Sequence, residues 1–160
     1  MTLPFNEMPA NSRIWIYQSD RKLNDSELDQ IKLKLTDFLK NWTAHGDDLK
    51  SSFEIRYDRF IIIALNEKSA KASGCSIDAC VHFIQQIEKD YNINLLDKMN
   101  VAFKQGEYVS YKSIVEFKSL IKNNSVSKNT IVFNNLVLDI GDYKNNWEVP
   151  ACKSWHSRFF

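Results

Sequence analysis

The sequence has few of the residues from which disulfide scaffolds, collagens or membrane spans are built. Its 160 residues include three cysteines, three prolines and four glycines. The longest apolar run, Phe60–Leu65, has six residues, whereas a membrane-spanning helix needs about 20. An odd number of cysteines favours free, reduced thiols, and the first residues lack the pattern of a signal peptide. We therefore expect a cytoplasmic protein.

Neither sign of charge is in excess, since 21 basic and 20 acidic side chains leave a net charge of +1. Such a balance attracts a phosphate backbone weakly, so we expect no nucleic-acid partner. The spacing of Cys75 and Cys80 does not match that of zinc ligands, and the chain contains no Cys-x-x-Cys or His-x-x-x-His pair. We accordingly expect no metal site, no cofactor and no insertion into a membrane.

What the sequence does contain is typical of a globular protein, with 44% hydrophobic, 26% charged and 12% aromatic residues. We expect a single domain over residues 1–160, because this length suits one hydrophobic core. Arg13–Tyr17 is β-branched and aromatic, which predicts a strand. A helix is predicted next, since Asn24 and Glu27 have the spacing of a capping box and Gly46 is of the type that commonly ends a helix.

Further strands and helices are predicted along the rest of the chain. Strands over 53–57 and 59–65 are expected to form a hairpin, and the second, apolar throughout from Phe60, is typical of a central strand covered on both faces. A second helix is predicted from about Ser76, followed by a strand at 101–103. The elements predicted beyond it are a strand over 107–111, a helix capped by Ser113, a strand over 130–137 and a short helix capped by Asp139 with Asp142.

The order β-α-β-β-α-β through Phe103 is that of the split βαβ arrangement of ferredoxin-like folds. We therefore predict an α+β fold with a ferredoxin-like core over 12–103, whose antiparallel sheet has the first and third strands at its centre. Residues 104–160 are predicted to form a C-terminal α/β extension. Because the third strand is apolar on both faces, this extension or a second subunit is expected to cover part of the sheet.

The predicted topology brings two distant segments to one edge of the domain. The first helix runs antiparallel to the first strand, and the second helix starts where the third strand ends. Residues 41–46 and 73–78 are therefore predicted to be neighbours. Together they contain two of the four glycines, one of the three histidines and one of the three cysteines. This edge is our candidate site.

Two interpretations of this edge stay open. Unpaired N–H groups at the start of the second helix would attract a carboxylate or phosphate. The candidate ligand-binding residues are Trp42, Gly74, Ser76 and Asp78. Cys75, with His45 as its proton partner, would add acyl or thiol chemistry. The alternative is structural, with Ser76 as the N-cap, Cys75 as a small buried residue and Trp42 as the last core residue of its helix.

The last seven residues, Ser154–Phe160, are rich in aromatic and functional groups. Their aromatic side chains are predicted either to dock on the second face of the sheet or to contact a partner. If they dock, His156 and Arg158 are candidates to complete an anion site.

Seven stretches are distinctive in combination. They are SRIWIYQS (12–19), NWTAHG (41–46), SGCSID (73–78), LDKMNVAF (96–103), TIVFNNLV (130–137), NWEVP (146–150) and SWHSRFF (154–160). In these stretches, which span nearly the whole chain, the sequence resembles a family of small bacterial proteins that often carry the label "ABC transporter ATPase". The resemblance implies a shared fold and brings no established activity with it.

ATP hydrolysis by such a transporter subunit requires a P-loop of the form G-x-x-x-x-G-K-[ST]. The glycines are Gly46, Gly74, Gly106 and Gly141, nowhere five residues apart, and none precedes a Lys-Ser or Lys-Thr pair. The sequence therefore excludes ATP hydrolysis of the P-loop type.

Two functions remain as hypotheses. The first is a cytosolic binding or protein-interaction module without enzymatic activity, with a homodimer through the sheet as one form. It is motivated by the doubly apolar third strand and the aromatic C-terminal segment. The second is a site for a small anionic molecule, or a Cys/His-dependent enzyme, between residues 41–46 and 73–78.

Overall fold

The computed structural model describes all 160 residues as an α+β protein with four α-helices and antiparallel sheets. Its contacts divide the chain into two compact units. Unit 1 comprises residues 1–96 with 138–141, and unit 2 comprises 97–137 with 142–160. No helix has the length and apolar character needed to cross a membrane.

Unit 1 contains a three-stranded antiparallel sheet, two long helices and a short hairpin. Its elements are β1 (Arg13–Gln18), α1 (Asp25–Lys40), β2 (Thr43–Ala44), β3 (Asp47–Asp48), β4 (Lys50–Arg56), β5 (Phe60–Asn66) and α2 (Gly74–Tyr91). The strand order is β1-β5-β4, so the apolar third strand is central, as predicted, whereas the first strand, also predicted at the centre, is an outer strand of the sheet. All six residues of Phe60–Leu65 are fully buried within the single chain, and covering either face of β5 requires no second subunit.

The start of α1 is also as predicted. The Glu27 N–H donates to Asn24 Oδ1 over 2.9 Å, and the Asn24 N–H donates to Glu27 Oε1 over 3.0 Å. The stripe that faces the core of unit 1 is Leu28, Ile31, Leu35 and Leu39. The end of the helix differs, because α1 stops at Lys40 and Gly46 does not terminate it.

Gly46 instead occupies the two-residue turn of the hairpin β2–β3. Its φ is +83° and that of His45 is +52°. Two successive positive φ angles are typical of the tight turns whose twist matches that of a β-hairpin. Gly46 therefore has the positive φ that is typical of a glycine at the end of a helix, but it forms the turn of the hairpin that follows α1.

The fourth strand of the predicted core lies in a different sheet. The elements of unit 2 are β6 (Asn100–Gln105), β7 (Tyr108–Ser113), α3 (Ile114–Lys122), β8 (Ile131–Phe133), most of α4 (Ile140–Asn146) and β9 (Glu148–Pro150). The strand order here is β7-β6-β8-β9. Since β6 pairs with β7 on one edge and with β8 on the other, neither edge is left to pair with β1. The strand predicted at 101–103 thus does not complete the first sheet.

A short segment of unit 1 occupies part of the β1 edge at which the fourth strand was expected. Arg13 forms an antiparallel bridge with Asp139, and the Ile14 N–H donates to the Leu138 carbonyl over 3.2 Å. Beyond this contact the sheet of unit 1 has three strands, and the predicted ferredoxin-like core over 12–103 is incomplete.

Two other predictions for unit 2 had different outcomes. Ser113 caps α3 as predicted, since its Oγ accepts from the Glu116 N–H over 3.1 Å. The strand predicted over 130–137 is shorter, because β8 ends at Phe133. Asn134 begins a turn there, in which its Oδ1 accepts from the Leu136 N–H over 3.1 Å.

The aromatic C-terminal segment docks on unit 2. Trp155 and Phe159 pack against its core, and the ring centroids of Phe159 and Phe160 lie 6.2 and 6.3 Å from that of Phe117. Docking within the chain was one of the two predicted alternatives, but it was expected on the second face of the core sheet, whereas the rings pack on residues of unit 2. The other, contact with a partner, is no longer needed to explain why they are aromatic.

His156 is a core residue of unit 2. It is 1% exposed, its ring stacks on Trp155 with centroids 3.9 Å apart, and its Nδ1 hydrogen-bonds to Ser154 Oγ. Burial, and secondarily the charge of Arg158, lowers the pKa of His156 from 6.5 to about 4. A buried neutral imidazole is unsuited to the anion site predicted for it. Arg158 lies over the rings of Trp155 and Phe159 at 5.0 and 5.2 Å.

We expect acid to destabilise the protein through His156. Because its folded pKa of about 4 lies below the ordinary 6.5, the unfolded state binds more protons between these values, and stability falls as the pH drops through that window. The free energy of unfolding should fall by about 3 kcal/mol once the pH is below the folded pKa of His156. Urea unfolding of wild type and His156→Gln at pH 7, 5.5 and 4.5 measures it.

His82→Gln is the matched control, because His82 is exposed on α2. In this control the free energy of unfolding should depend on pH as it does in the wild type. In His156→Gln the part of that dependence caused by protonation of His156 between pH 6.5 and 4 should be absent. Equal pH dependence in wild type and His156→Gln would show that protonation of His156 is not coupled to unfolding.

Candidate functional site

Two serines hold the first turn of α2. Ser73 is the N-cap, and its Oγ accepts from the Ser76 N–H over 3.1 Å. In return, Ser76 Oγ accepts from the Ser73 N–H over 2.7 Å. This is a capping box in which serine replaces the usual Glu or Gln. Ser76 is therefore the third residue of the helix and not its N-cap, and the helix begins at Gly74.

The capping box decides which N–H groups a ligand can reach. The N–H and hydroxyl of Ser76 are both engaged with Ser73, so Ser76 does not offer a donor as predicted. The N–H groups of Gly74 and Cys75 have no acceptor within the protein, as is usual in the first turn of a helix. Two successive donors at the positive end of the α2 dipole are left.

Trp42 is held from both sides at the end of α1. Its N–H donates to the Leu39 carbonyl over 3.3 Å, and its own carbonyl accepts from the Leu49 N–H over 3.1 Å, which closes the β2–β3 hairpin. The preceding residue, Asn41, caps the helix by donating its N–H to the Phe38 and Leu39 carbonyls. The backbone from which the indole ring projects is thus fixed by hydrogen bonds.

The Trp42 side chain links the two predicted segments. Its indole Nε1–H donates to the Ser76 carbonyl over 2.8 Å in a buried hydrogen bond between residues 34 positions apart. Trp42 is 3% exposed, and its ring also meets Trp15 edge-on at 6.0 Å. The prediction that the end of the first helix and the start of the second share one edge is confirmed.

A cleft of about 710 Å³ lies at this edge. Small-molecule sites usually have volumes of roughly 300–1,000 Å³. The lining residues are Lys34, Asp37, Phe38, Asn41, Trp42, Thr43, His45, Ser73, Cys75, Ser76, Ala79 and Phe83. The cleft thus contains four residues that the sequence singled out, namely Trp42, His45, Cys75 and Ser76.

Spacing along the helices explains half of the lining. Residues four positions apart lie on the same face of a helix. From α1 and the residues just after it come Lys34, Phe38 and Trp42, and from α2 come Cys75, Ala79 and Phe83. These steps of four are visible in the sequence. They could have identified Phe83, which the sequence analysis does not single out.

Three aromatic rings form a row along the wall of the cleft. The rings of Phe38 and Phe83 stack with centroids 4.5 Å apart and an interplanar angle of 10°. The ring of Trp42 also neighbours Phe38, with centroids 5.7 Å apart and an interplanar angle of 37°. Both phenylalanines are half-buried, so this wall is apolar and partly open to solvent.

The charged residues that line the cleft give it no strong net charge of either sign. Lys34 donates to Asp90 over 2.9 Å, and its ammonium lies 4.8 Å from the centre of the Tyr91 ring. The hydrogen bond to Asp90 is the main reason that the pKa of Lys34 is raised, and it lowers the pKa of Asp90. Asp37 adds one carboxylate to the lining.

Cys75 and His45 both line the cleft, and both are exposed. No hydrogen bond joins the thiol to the imidazole, so the geometry of an activated nucleophile is absent. Cys80, in contrast, is buried against the Tyr17 hydroxyl at 3.7 Å, and burial raises its pKa to about 11. Cys75 is therefore the accessible thiol of unit 1.

Four other predicted site residues lie outside the lining of the cleft. Gly74 and Asp78 are exposed, and a Cβ added at Gly74 would meet no atom within 4 Å. His156 and Arg158 belong to unit 2, where the aromatic contacts described above surround them. No group of three or more His, Cys, Asp or Glu side chains is placed to hold a metal ion.

The chain gives no significant match to any protein-family model, curated protein or solved structure. The resemblance to the small bacterial family therefore stays a prediction.

Removing the indole donor of Trp42 should weaken the attachment of α1 to α2. We expect Trp42→Phe to lower the free energy of unfolding by about 1–3 kcal/mol, because it leaves the buried Ser76 carbonyl without this partner. Trp15→Phe is the control, since the half-buried Trp15 indole makes no hydrogen bond within the protein. Chemical denaturation measures both, and an equal loss in both variants would contradict a specific role for the hydrogen bond.

Proposed function

We propose that the protein binds a small anionic molecule in the cleft at the end of α1 and the start of α2. The observation that carries this proposal is the convergence of two sequence-distant segments on one concavity of ligand size. The lining combines an aromatic wall with a few polar groups, which is the usual composition of a small-molecule site.

The anionic group of the ligand would sit at the first turn of α2. Cys75 lines the cleft and has an unpaired N–H, and Gly74, which precedes it outside the lining, has a second. Both are donors for a carboxylate or phosphate oxygen, and the helix dipole favours negative charge there. The Ser73–Ser76 capping box and the Trp42 hydrogen bond hold this turn in place. A preformed donor pair reduces the ordering that binding must impose.

A protein-interaction module is the weaker proposal. Its two motives were the doubly apolar third strand and the aromatic C-terminal segment. Phe60–Leu65 is buried within the chain, and Trp155 and Phe159 pack on their own unit. Neither feature needs a partner. Catalysis by Cys75 and His45 is likewise supported only by their place in the same cleft.

Three further proposals accompany this function. A cytoplasmic location is supported by three free cysteines, of which Cys75 and Cys152 are exposed. A distant relation to ferredoxin-like domains is supported by the strand order β1-β5-β4, which matches three of the four expected strands. The family resemblance is supported by the quoted stretches alone, and the missing P-loop argues against ATP hydrolysis.

Filling the cleft should abolish binding without unfolding the protein. Ala79 lines the cleft from an exposed helical position, so Ala79→Trp places a bulky ring in it. We expect benzoate, hexanoate, phenyl phosphate or inorganic phosphate to slow alkylation of Cys75 by iodoacetamide in the wild type. In Ala79→Trp the same additions should have no effect. Mass spectrometry of the cysteine peptides measures the rates.

Two controls belong to this experiment. Cys152 is exposed in unit 2 and should react at the same rate with or without the added molecules. Gln85→Trp adds the same ring at another exposed position of α2 and should keep the protection of Cys75. If none of the four molecules protects Cys75 in the wild type at millimolar concentration, the proposed function is wrong.

A proline tests the donor pair directly. Gly74→Pro removes one N–H at the first helical position, where proline is favoured, and Ser73 with φ −97° and ψ 167° already has the backbone that precedes proline. We expect the affinity for benzoate to fall about tenfold or more. Gly74→Ala keeps the N–H and should bind as the wild type does. Equal binding by both variants in calorimetry would rule out an anion at this turn.

A further inference from the structure

The aromatic wall suggests which anionic molecules the cleft prefers. We infer that the ligand carries a planar aromatic ring, which packs against the aromatic row at its half-buried members, Phe38 and Phe83. This inference rests on the proposed function, because it names the chemical class of the molecule bound in the same cleft.

The row is arranged to receive another ring. Its members are already packed ring to ring, at 5.7 Å between Trp42 and Phe38 and 4.5 Å between Phe38 and Phe83. An added ring can join such a row in an offset-stacked or edge-to-face position, which contributes more than the burial of its area. Trp42 is only 3% exposed, so the half-buried rings of Phe38 and Phe83 provide the apolar surface that a ligand can contact.

Space for the ligand lies beside this wall. Cys75 and Ala79 precede Phe83 at steps of four on the same face of α2, and both side chains are small. A flat molecule over Ala79 could contact the aromatic row with its ring while its anionic group reaches the first turn of the helix. The proposed ligand is therefore an aromatic carboxylate or an aromatic phosphate ester, and the class of the anionic group is left to the test.

A pair of probes separates aromatic recognition from simple apolar burial. We compare 1-naphthoate with decahydronaphthalene-1-carboxylate, which has the same carbon skeleton and charge but no aromatic ring. The saturated acid has more hydrogen atoms and more apolar surface, so area alone would favour it. If the row recognises aromatic rings, 1-naphthoate should bind about three- to tenfold more tightly. Isothermal titration calorimetry measures both affinities.

Phe83→Leu tests whether the row carries this preference. Leucine keeps an apolar side chain at the position but removes the ring, so the ratio of the two affinities should fall below about twofold. Tyr108→Leu is the control, because Tyr108 is an exposed aromatic residue of unit 2 and its loss should leave the ratio unchanged. Phenyl phosphate against cyclohexyl phosphate repeats the comparison for the other anionic group.

A second measurement needs no variant. An aromatic ring bound over Ala79 should shift the methyl proton resonance of Ala79 by its ring current, whereas the saturated acid should not. Equal or tighter binding of the saturated acid, or no ring-current shift with 1-naphthoate bound, overturns the inference and leaves the proposed function intact. Failure of both acids and both phosphate esters to bind also overturns the inference. If benzoate, hexanoate and inorganic phosphate fail to protect Cys75 as well, the proposed function is wrong too.

Discussion

One buried hydrogen bond determines where the candidate site can form. The indole of Trp42 has a donor and no acceptor, and burying it without a partner would cost about 1–3 kcal/mol. The Ser76 carbonyl is that partner, at 2.8 Å. Their pairing joins the residue that follows α1 to the first turn of α2, and the cleft lies along this junction. Because the two serines of the capping box satisfy each other, the unpaired N–H groups of Gly74 and Cys75 are left as the donors of the site.

Local sequence chemistry predicted much of unit 1. The capping box of Asn24 and Glu27, the central position of Phe60–Leu65 and the meeting of residues 41–46 with 73–78 all follow from short-range signals and chain direction. Details at the site were harder to predict. Serine at positions 73 and 76 fits either a single N-cap or a reciprocal pair, and only the backbone geometry shows that Ser76 is the third helical residue.

Sequence reasoning failed where one pattern serves two structures. A short strand such as 100–105, whose apolar residues are only 101–103, can pair in either sheet. The local β6–β7 hairpin closes a far shorter loop than a return to β1 would. Gly46 likewise fits the end of a helix or a hairpin turn, since both use a positive φ. Phe83 was missed because it lies beside the buried apolar residues of α2, which are Cys80, Ile84 and Ile87, and lines the cleft instead.

The central claim is that the end of α1 and the start of α2 meet through the Trp42 side chain. The most direct test is a ¹⁵N-edited NOE spectrum of the protein, read at the Trp42 indole Hε1 resonance. We expect strong cross-peaks from this proton to the protons of Ser76 and to the Ile77 amide, together with slow exchange of the indole proton with solvent. The opposite result is an indole proton that exchanges as fast as that of an exposed tryptophan and shows no cross-peak to residues 73–78. This result would contradict the claim that the end of α1 and the start of α2 share an edge, and with it the proposed cleft.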